Sequence, residues 1–354
     1  MGCYMINKRQ YNILSFYLTR TLFLGGGFSL LLKLTRNDFL IASVLGMLLG
    51  YFLLYLFFKK NNISKFMECI VAIVILVMAM LSNTSLTSNY LLKTTPTLPI
   101  LLIFIVSLLY ASKKEFKVIG RVAEIFIFIS FLEITFALLI LVGIVNVSNM
   151  LPLFTTNTIN IIKGIIVFTG CSLLPNILLI RYKNDLKFSD IHYGYLIGSL
   201  LMIVVLFFVI TIYGSKLSSM VIFPEFLILK KIDIMGYLSN IENVLVTEWL
   251  FNILMSSWFC FKVLRDNMNR GLFYLIVFIL IVVSELVFNR SYVNILFIKQ
   301  YFYYIAFLVS LLTLVIKKRK IWSFFLFEFF CFVCCSFVFI NINFIVFLWI
   351  VIKC

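Results

Sequence analysis

Three ionisable residues stand inside stretches that are otherwise apolar enough to cross a bilayer. Arg20 follows "SFYLT", Glu133 lies within "ISFLEITF", and Glu248 lies within "LVTEWLF". A charge near the bilayer centre is costly, and it normally pairs with an opposite charge or faces a watery cavity. We therefore predict that Arg20 and Glu133, near the midpoints of their stretches, pair and form part of a cytoplasmic gate. A fixed structural pair is the alternative.

Two other apolar stretches contain residues that interrupt helices. The first is "LGGGF", with Gly25, Gly26 and Gly27 in succession, and the second is "FTGCSLLP", which ends at Pro175. Irregular backbone survives at membrane depth only where protein or a cavity covers it, and interrupted helices in corresponding positions of two halves mark the binding sites of transporters. Freed N–H groups there can bind a carboxylate, and freed carbonyl groups a cation.

These two breaks predict a site for a small polar ligand, with Glu248 and Trp249 as less central contributors. Its predicted lining is Gly25, Gly26, Gly27, Phe168, Thr169, Gly170, Cys171, Glu248 and Trp249. Close helix packing by the glycines and an ordinary proline kink are the alternatives.

The composition fixes the class of element that must position these residues. The chain has 354 residues, of which 63% are hydrophobic and 12% are charged, whereas about 25% of a soluble domain is charged. Its apolar runs of about 20 residues each have the length of a membrane-spanning helix. We predict an all-α polytopic membrane protein with these ten spans: 11–33, 39–58, 66–90, 97–111, 121–145, 160–181, 193–213, 240–264, 271–288 and 297–316.

Ten spans divide into two sets of five that enter the membrane from opposite faces. The predicted fold is therefore a 5+5 inverted repeat, with residues 1–157 as the first repeat and 158–320 as the second. The apolar tail 321–354 is either an eleventh span or a run that resembles a secretory signal.

The net charge of +16 orients the chain in the membrane. Most of the basic residues fall at alternate ends of the apolar runs, as the positive-inside rule expects when the N-terminus is cytoplasmic. The charge thus predicts contact with membrane lipid and no binding of nucleic acid.

The sequence gives no support for an enzyme, a cofactor or a metal site. It contains one histidine and no G-x-S-x-G, H-E-x-x-H or P-loop pattern. The C-x-x-C spacing of Cys331 and Cys334 has no histidine or second cysteine pair nearby to complete a zinc set.

Four segments carry a family resemblance: "TTPTLPI" (94–100), "IGRVAEIFIFI" (119–129), "NVSNMLPLF" (146–154) and "FPEFLILKKIDIMGYLSNIENVLVTEW" (223–249). Together they resemble the spore germination permeases, the polytopic B subunits of nutrient germinant receptors, within the amino acid, polyamine and organocation transporters. This resemblance implies a LeuT-like fold for the 5+5 repeat. In the last segment Tyr237, Asn240, Glu242 and Trp249 stand where the family has an aromatic residue, an Arg-x-Glu pair and a tryptophan. Asn240 replaces the usual arginine, and Cys171 stands where many members have an acidic residue.

The resemblance implies a nutrient receptor in the inner membrane of the spore. It implies a small nutrient, often an amino acid, as the ligand, and two companion subunits, one with a soluble head and one a lipoprotein. An ordinary secondary transporter of amino acids and a structural subunit with a vestigial pocket are the other readings.

Overall fold

The computed structural model describes residues 6–60, 63–92, 94–183, 186–221, 223–230, 241–288 and 292–315. Its described residues form helices and the turns between them. The helices are α1 (Lys8–Thr21), α2 (Gly27–Thr35), α3 (Phe39–Lys60), α4 (Lys65–Leu86), α5 (Thr97–Ala111), α6 (Phe116–Val142), α7 (Thr158–Leu179), α8 (Phe188–Met220), α9 (Pro224–Leu229), α10 (Ile241–Asn267), α11 (Arg270–Phe288) and α12 (Tyr292–Val315).

Each of the ten predicted spans coincides with one of these helices, or, for the first span, with the pair α1 and α2. Among the described residues, five helical segments are long and apolar enough to cross a membrane. They are Gly27–Lys60, Lys65–Leu86, Phe116–Val142, Thr158–Tyr182 and Phe188–Met220. The chain is therefore a helical membrane protein.

The first span is broken at its glycines, as the sequence predicts. Helix α1 ends at Thr21, a 3₁₀ turn covers Phe23–Gly25, and α2 begins at Gly27. Gly26 joins the two helices with φ 100° and ψ 8°, in the left-handed region that glycine enters without a steric penalty. The break therefore depends on glycine at this position.

The predicted second break is wrong. Helix α7 runs without interruption from Thr158 to Leu179 and contains Pro175 in its interior. A proline removes one backbone hydrogen bond from a helix, and neighbouring side chains can compensate for it inside a membrane protein. Side chains on both sides of the proline also bond the helix backbone, although not the carbonyl of Cys171 that Pro175 leaves without its usual donor. Ser172 donates to the carbonyl of Phe168 (3.0 Å), and Asn176 donates to the carbonyl of Ser172 (2.8 Å).

The polar residues of α7 instead join it to the helices around it. Thr169 donates a hydrogen bond to the carbonyl of Gly46 in α3 (3.0 Å), and Ser172 bonds the hydroxyl of Tyr195 in α8 (3.0 Å). Asn176 donates to Thr19 in α1 (2.8 Å). All of these α7 side chains are buried, so they hold the bundle together by hydrogen bonds.

The helices differ strongly in how deeply they are buried. The apolar window of α4 is 89% buried and that of α7 is 72% buried, whereas that of α6 is only 11% buried. Helix α1 contacts α6, α7, α8 and α10, so the broken first span lies at the centre of the bundle. Helix α6 lies at its edge and turns most of its surface outward.

Polar contacts tie the helix ends together at both ends of the bundle. Asp38, before α3, accepts backbone hydrogen bonds from Phe154 and Thr156 in the linker between α6 and α7. At the other end Arg181 bonds both Glu68 and Asn267, which joins the ends of α4, α7 and α10.

Some predictions fall outside the described residues. The tail 321–354, with its predicted eleventh span and its C-x-x-C pair, lies outside them, as do Tyr237 and Asn240.

Candidate functional site

A cavity lies between α1, α2, α6, α8, α9 and α10. The empty space within it measures about 620 Å³, and this figure includes open solvent at its mouth. The walls from α1, α2, α9 and α10 are buried, whereas several residues of α6 and α8 are half-exposed, so the mouth lies between these two helices. The lining is Arg20, Leu24, Phe28, Glu133, Ile134, Ala137, Leu138, Leu141, Leu201, Met202, Val205, Phe208, Glu225, Ile228, Leu229, Glu248 and Trp249.

A buried ion pair stands in the wall of the cavity. The two terminal nitrogens of Arg20 donate to the two carboxylate oxygens of Glu248, at 2.6 Å and 2.7 Å. Both side chains are almost completely buried, with 2% and 3% of their surface exposed. The guanidinium also lies over the ring of Phe16, with its carbon 4.7 Å from the ring centroid. Bidentate geometry and added contacts of this kind are what a buried charge pair requires.

The predicted pairing of Arg20 with Glu133 is wrong. Glu133 instead accepts a hydrogen bond from the hydroxyl of Thr247, at 2.9 Å. Thr247 and Glu248 are neighbours in α10, so this helix binds α6 through one residue and α1 through the next. Arg20 and Glu133 thus line one cavity, and each is held by α10.

The break in the first span positions Arg20. The arginine lies in the last turn of α1, where the unpaired carbonyl groups of a helix end favour a positive charge. The 3₁₀ turn then presents Leu24 to the cavity, and α2 presents Phe28. Next to Glu248 in α10, the ring of Trp249 meets that of Phe226 edge to face, with their centroids 6.5 Å apart.

The two predicted glycine-containing segments lie side by side without lining this cavity. The ring centroids of Phe23 and Phe168 are 4.8 Å apart. A methyl group added to Gly27 would come within 3.2 Å of Cys171 Sγ, and one added to Gly170 would come within 3.0 Å of the backbone of α12. Glycine at Gly27 and Gly170 therefore permits close helix packing, the alternative that the sequence left open.

Of the predicted site residues, the cavity brings together Arg20, Glu133, Glu248 and Trp249. It also includes Glu225, a buried carboxylate that the sequence reasoning missed. One signal was present: Glu225 follows Pro224, and this order is typical of the first turn of a helix. The apolar walls from α6 and α8 carry no such signal, because they look like any other membrane-spanning face.

Most of the chain matches one known protein family. Residues 38–293, well over half of the chain, match the family of spore permeases described as spore germination protein. The matched range contains Glu133, Glu225, Glu248 and Trp249, and it begins after the broken first span. No curated protein matches the chain. The chain therefore belongs to the spore germination permease family, whose resemblance the sequence had indicated.

Proposed function

We propose that this protein is the membrane subunit of a nutrient germinant receptor, which binds a small nutrient and triggers spore germination. One observation carries the proposal: a buried ion pair, Arg20 with Glu248, stands beside a helix break and faces a cavity. Buried charges at membrane depth typically mark the path or site of a ligand. The family membership supplies the link to germination.

The proposed architecture is the LeuT-like 5+5 inverted repeat. In this arrangement α1 to α6 form the first repeat, within residues 1–157, and α7 to α12 form the second, within 158–320. The central position of both opening spans supports it, since α1 and α2 contact α7 directly. The proposed site is the cavity, and Gly25, Gly26 and Gly27 form the hinge between α1 and α2. Residues Phe168 to Cys171 form the surface against which that hinge packs.

Binding would act by shifting a population between two helix arrangements. A ligand can shift such an equilibrium only by its difference in affinity for the two states. The cavity is lined by α1 and α2, which the turn at Gly26 joins, and also by α6, α8, α9 and α10. Movement at Gly26 changes the separation of these walls, so ligand affinity and hinge geometry are coupled.

The proposed setting is the inner membrane of the spore, with the N-terminus in the cytoplasm. The distribution of Lys and Arg supports this orientation. Two companion subunits, one with a soluble head and one a lipoprotein, would receive the conformational change. A secondary transporter of amino acids is the second candidate function, because the same cavity also fits alternating access.

Spores that lack this chain provide the test. We expect them to lose the response to one class of nutrient, measured as loss of refractility after nutrient addition. The wild-type chain and Glu124→Gln should restore the response, whereas Glu248→Gln should not. Glu124 lies on α6 outside the cavity lining, beside Arg9 and Gln10, and serves as the matched control.

Two results would decide against the receptor. Normal germination of the deleted spores with every nutrient would refute a role in nutrient sensing. Uptake of a labelled amino acid by liposomes that contain the purified chain alone, abolished by Glu248→Gln, would favour the transporter.

A further inference from the structure

The cavity is lined by more acidic groups than basic ones, and these groups differ in their hydrogen bonding. One guanidinium, that of Arg20, stands among the carboxyl groups of Glu133, Glu225 and Glu248. Both terminal nitrogens of Arg20 are already bonded to Glu248. The two terminal nitrogens of the single basic group are therefore engaged, and its Nε is the one nitrogen left without a partner among the described residues.

One carboxylate oxygen of Glu133 accepts no hydrogen bond from the described residues. Its Oε1 accepts from Thr247, whereas its Oε2 is buried and has no hydrogen-bond partner within the described part of the chain. A buried acceptor without a donor costs about 1–3 kcal/mol, and more when it is charged. A carboxylate is an acceptor only, so the group that satisfies this atom must donate, and a cation satisfies both its charge and its hydrogen bonding.

The remainder of the lining selects the body of that ligand. Apart from the four ionisable residues, every lining residue is hydrophobic or aromatic. An inorganic cation needs several oxygen ligands, and outside the three carboxyl groups the side chains of the lining supply none. An ammonium ion needs only a few acceptors and can carry an apolar body into contact with α6 and α8.

We propose that the cavity binds an organic ammonium ion with a short apolar body, and that Glu133 is the counter-ion of its ammonium group. This inference deepens the proposed function, because it names the chemical class of the ligand at the same site. It also sets a preference: a free carboxylate on the ligand opposes binding, since the lining has three carboxyl groups and the terminal nitrogens of its one guanidinium are bonded to Glu248. Like charges placed together in a binding site oppose association.

The test compares three molecules that share one apolar skeleton. Isoamylamine is leucine without its carboxyl group, and isoamyl alcohol replaces the ammonium with a neutral hydroxyl. Each is titrated by calorimetry into the protein in lipid nanodiscs, and the heat from protein-free nanodiscs is subtracted. We expect isoamylamine to bind at least about tenfold more tightly than the alcohol, which loses one charge-assisted hydrogen bond. We expect the same margin over leucine, whose carboxylate meets like charge in the site.

Matched variants identify the counter-ion. Glu133→Gln keeps the shape and an acceptor for Thr247 but removes the charge, so it should weaken isoamylamine about 10- to 100-fold. Glu124→Gln, the same change nine residues earlier on α6, should leave the affinity unchanged. Thermal unfolding of both variants without ligand shows whether each is folded.

Five results would overturn the assignment. Four are tighter binding of leucine than of isoamylamine, equal binding of the alcohol, an equal effect of the two variants, and no binding of isoamylamine. Displacement of isoamylamine by sodium at constant ionic strength would also overturn it, by showing a metal-cation site. These measurements use no spores. Amine binding without a germination defect would refute only the proposed function, and a germination defect without amine binding would refute only this assignment.

Discussion

Removing one partner of the Arg20–Glu248 pair should destabilise the protein almost as much as removing both. Glu248→Gln replaces one of the two acceptors, which bond the guanidinium at 2.6 and 2.7 Å, and leaves Arg20 charged with 2% of its side chain exposed. Arg20→Met likewise leaves the carboxylate of Glu248 buried without its counter-ion. Breaking a buried pair from one side costs about 3–5 kcal/mol, because the remaining charge has no counter-ion.

The double variant removes both charges of the pair, so no unpaired charge stays buried. We therefore expect its cost to be close to that of either single variant, which gives a coupling energy of about 3–5 kcal/mol. The free energies come from equilibrium unfolding in mixed micelles titrated with sodium dodecyl sulfate and followed by circular dichroism. Four proteins are compared: wild type, Arg20→Met, Glu248→Gln and the double variant.

A second cycle with Arg20→Met and Glu133→Gln provides the comparison. Glu133 is bonded to Thr247, so its coupling to Arg20 should be less than half as large. Strictly additive costs for Arg20 and Glu248 would contradict the observed pair. A larger coupling between Arg20 and Glu133 would restore the pairing that the sequence suggested.

Three further substitutions test the packing around the site, each by thermal unfolding. Gly26→Ala should cost about 1–2 kcal/mol because of its positive φ, whereas Gly143→Ala, with φ −68°, should not; equal effects would contradict the left-handed turn. Gly170→Ala should cost about 1–3 kcal/mol through its contact with the backbone of α12, and Gly271→Ala, with open space around it, should be neutral. Asp38→Asn should cost about 1–3 kcal/mol by losing a backbone N–H partner, and an unchanged melting temperature would show that these bonds add nothing.

The helical spans and the glycine break could be predicted from the sequence because both depend on local physics. A run of apolar residues that must satisfy its own backbone in lipid becomes a helix. Three successive glycines remove the steric cost of a left-handed turn, and Gly26 adopts one. Neither argument needs knowledge of which helices are neighbours.

The partners of the charges could not be predicted, because they depend on tertiary packing. Arg20 had two candidate carboxylates at similar depth, and only the position of α10 beside α1 selects Glu248. The reading of Thr169 to Pro175 as a break failed for the same reason. The polar side chains there form hydrogen bonds with α3, α8 and α1, and a single sequence cannot show these contacts.

Helix α6 is both a wall of the cavity and the outer surface of the molecule. Glu133 lines the cavity, while its neighbours Phe131 and Leu132 are 65% and 54% exposed. A displacement of this carboxylate therefore reaches the periphery within one helical turn, with no intervening layer of side chains to absorb it. A change in the occupancy of the cavity therefore changes the outer surface, and a neighbouring protein needs to contact only the outward face of α6 to respond to it.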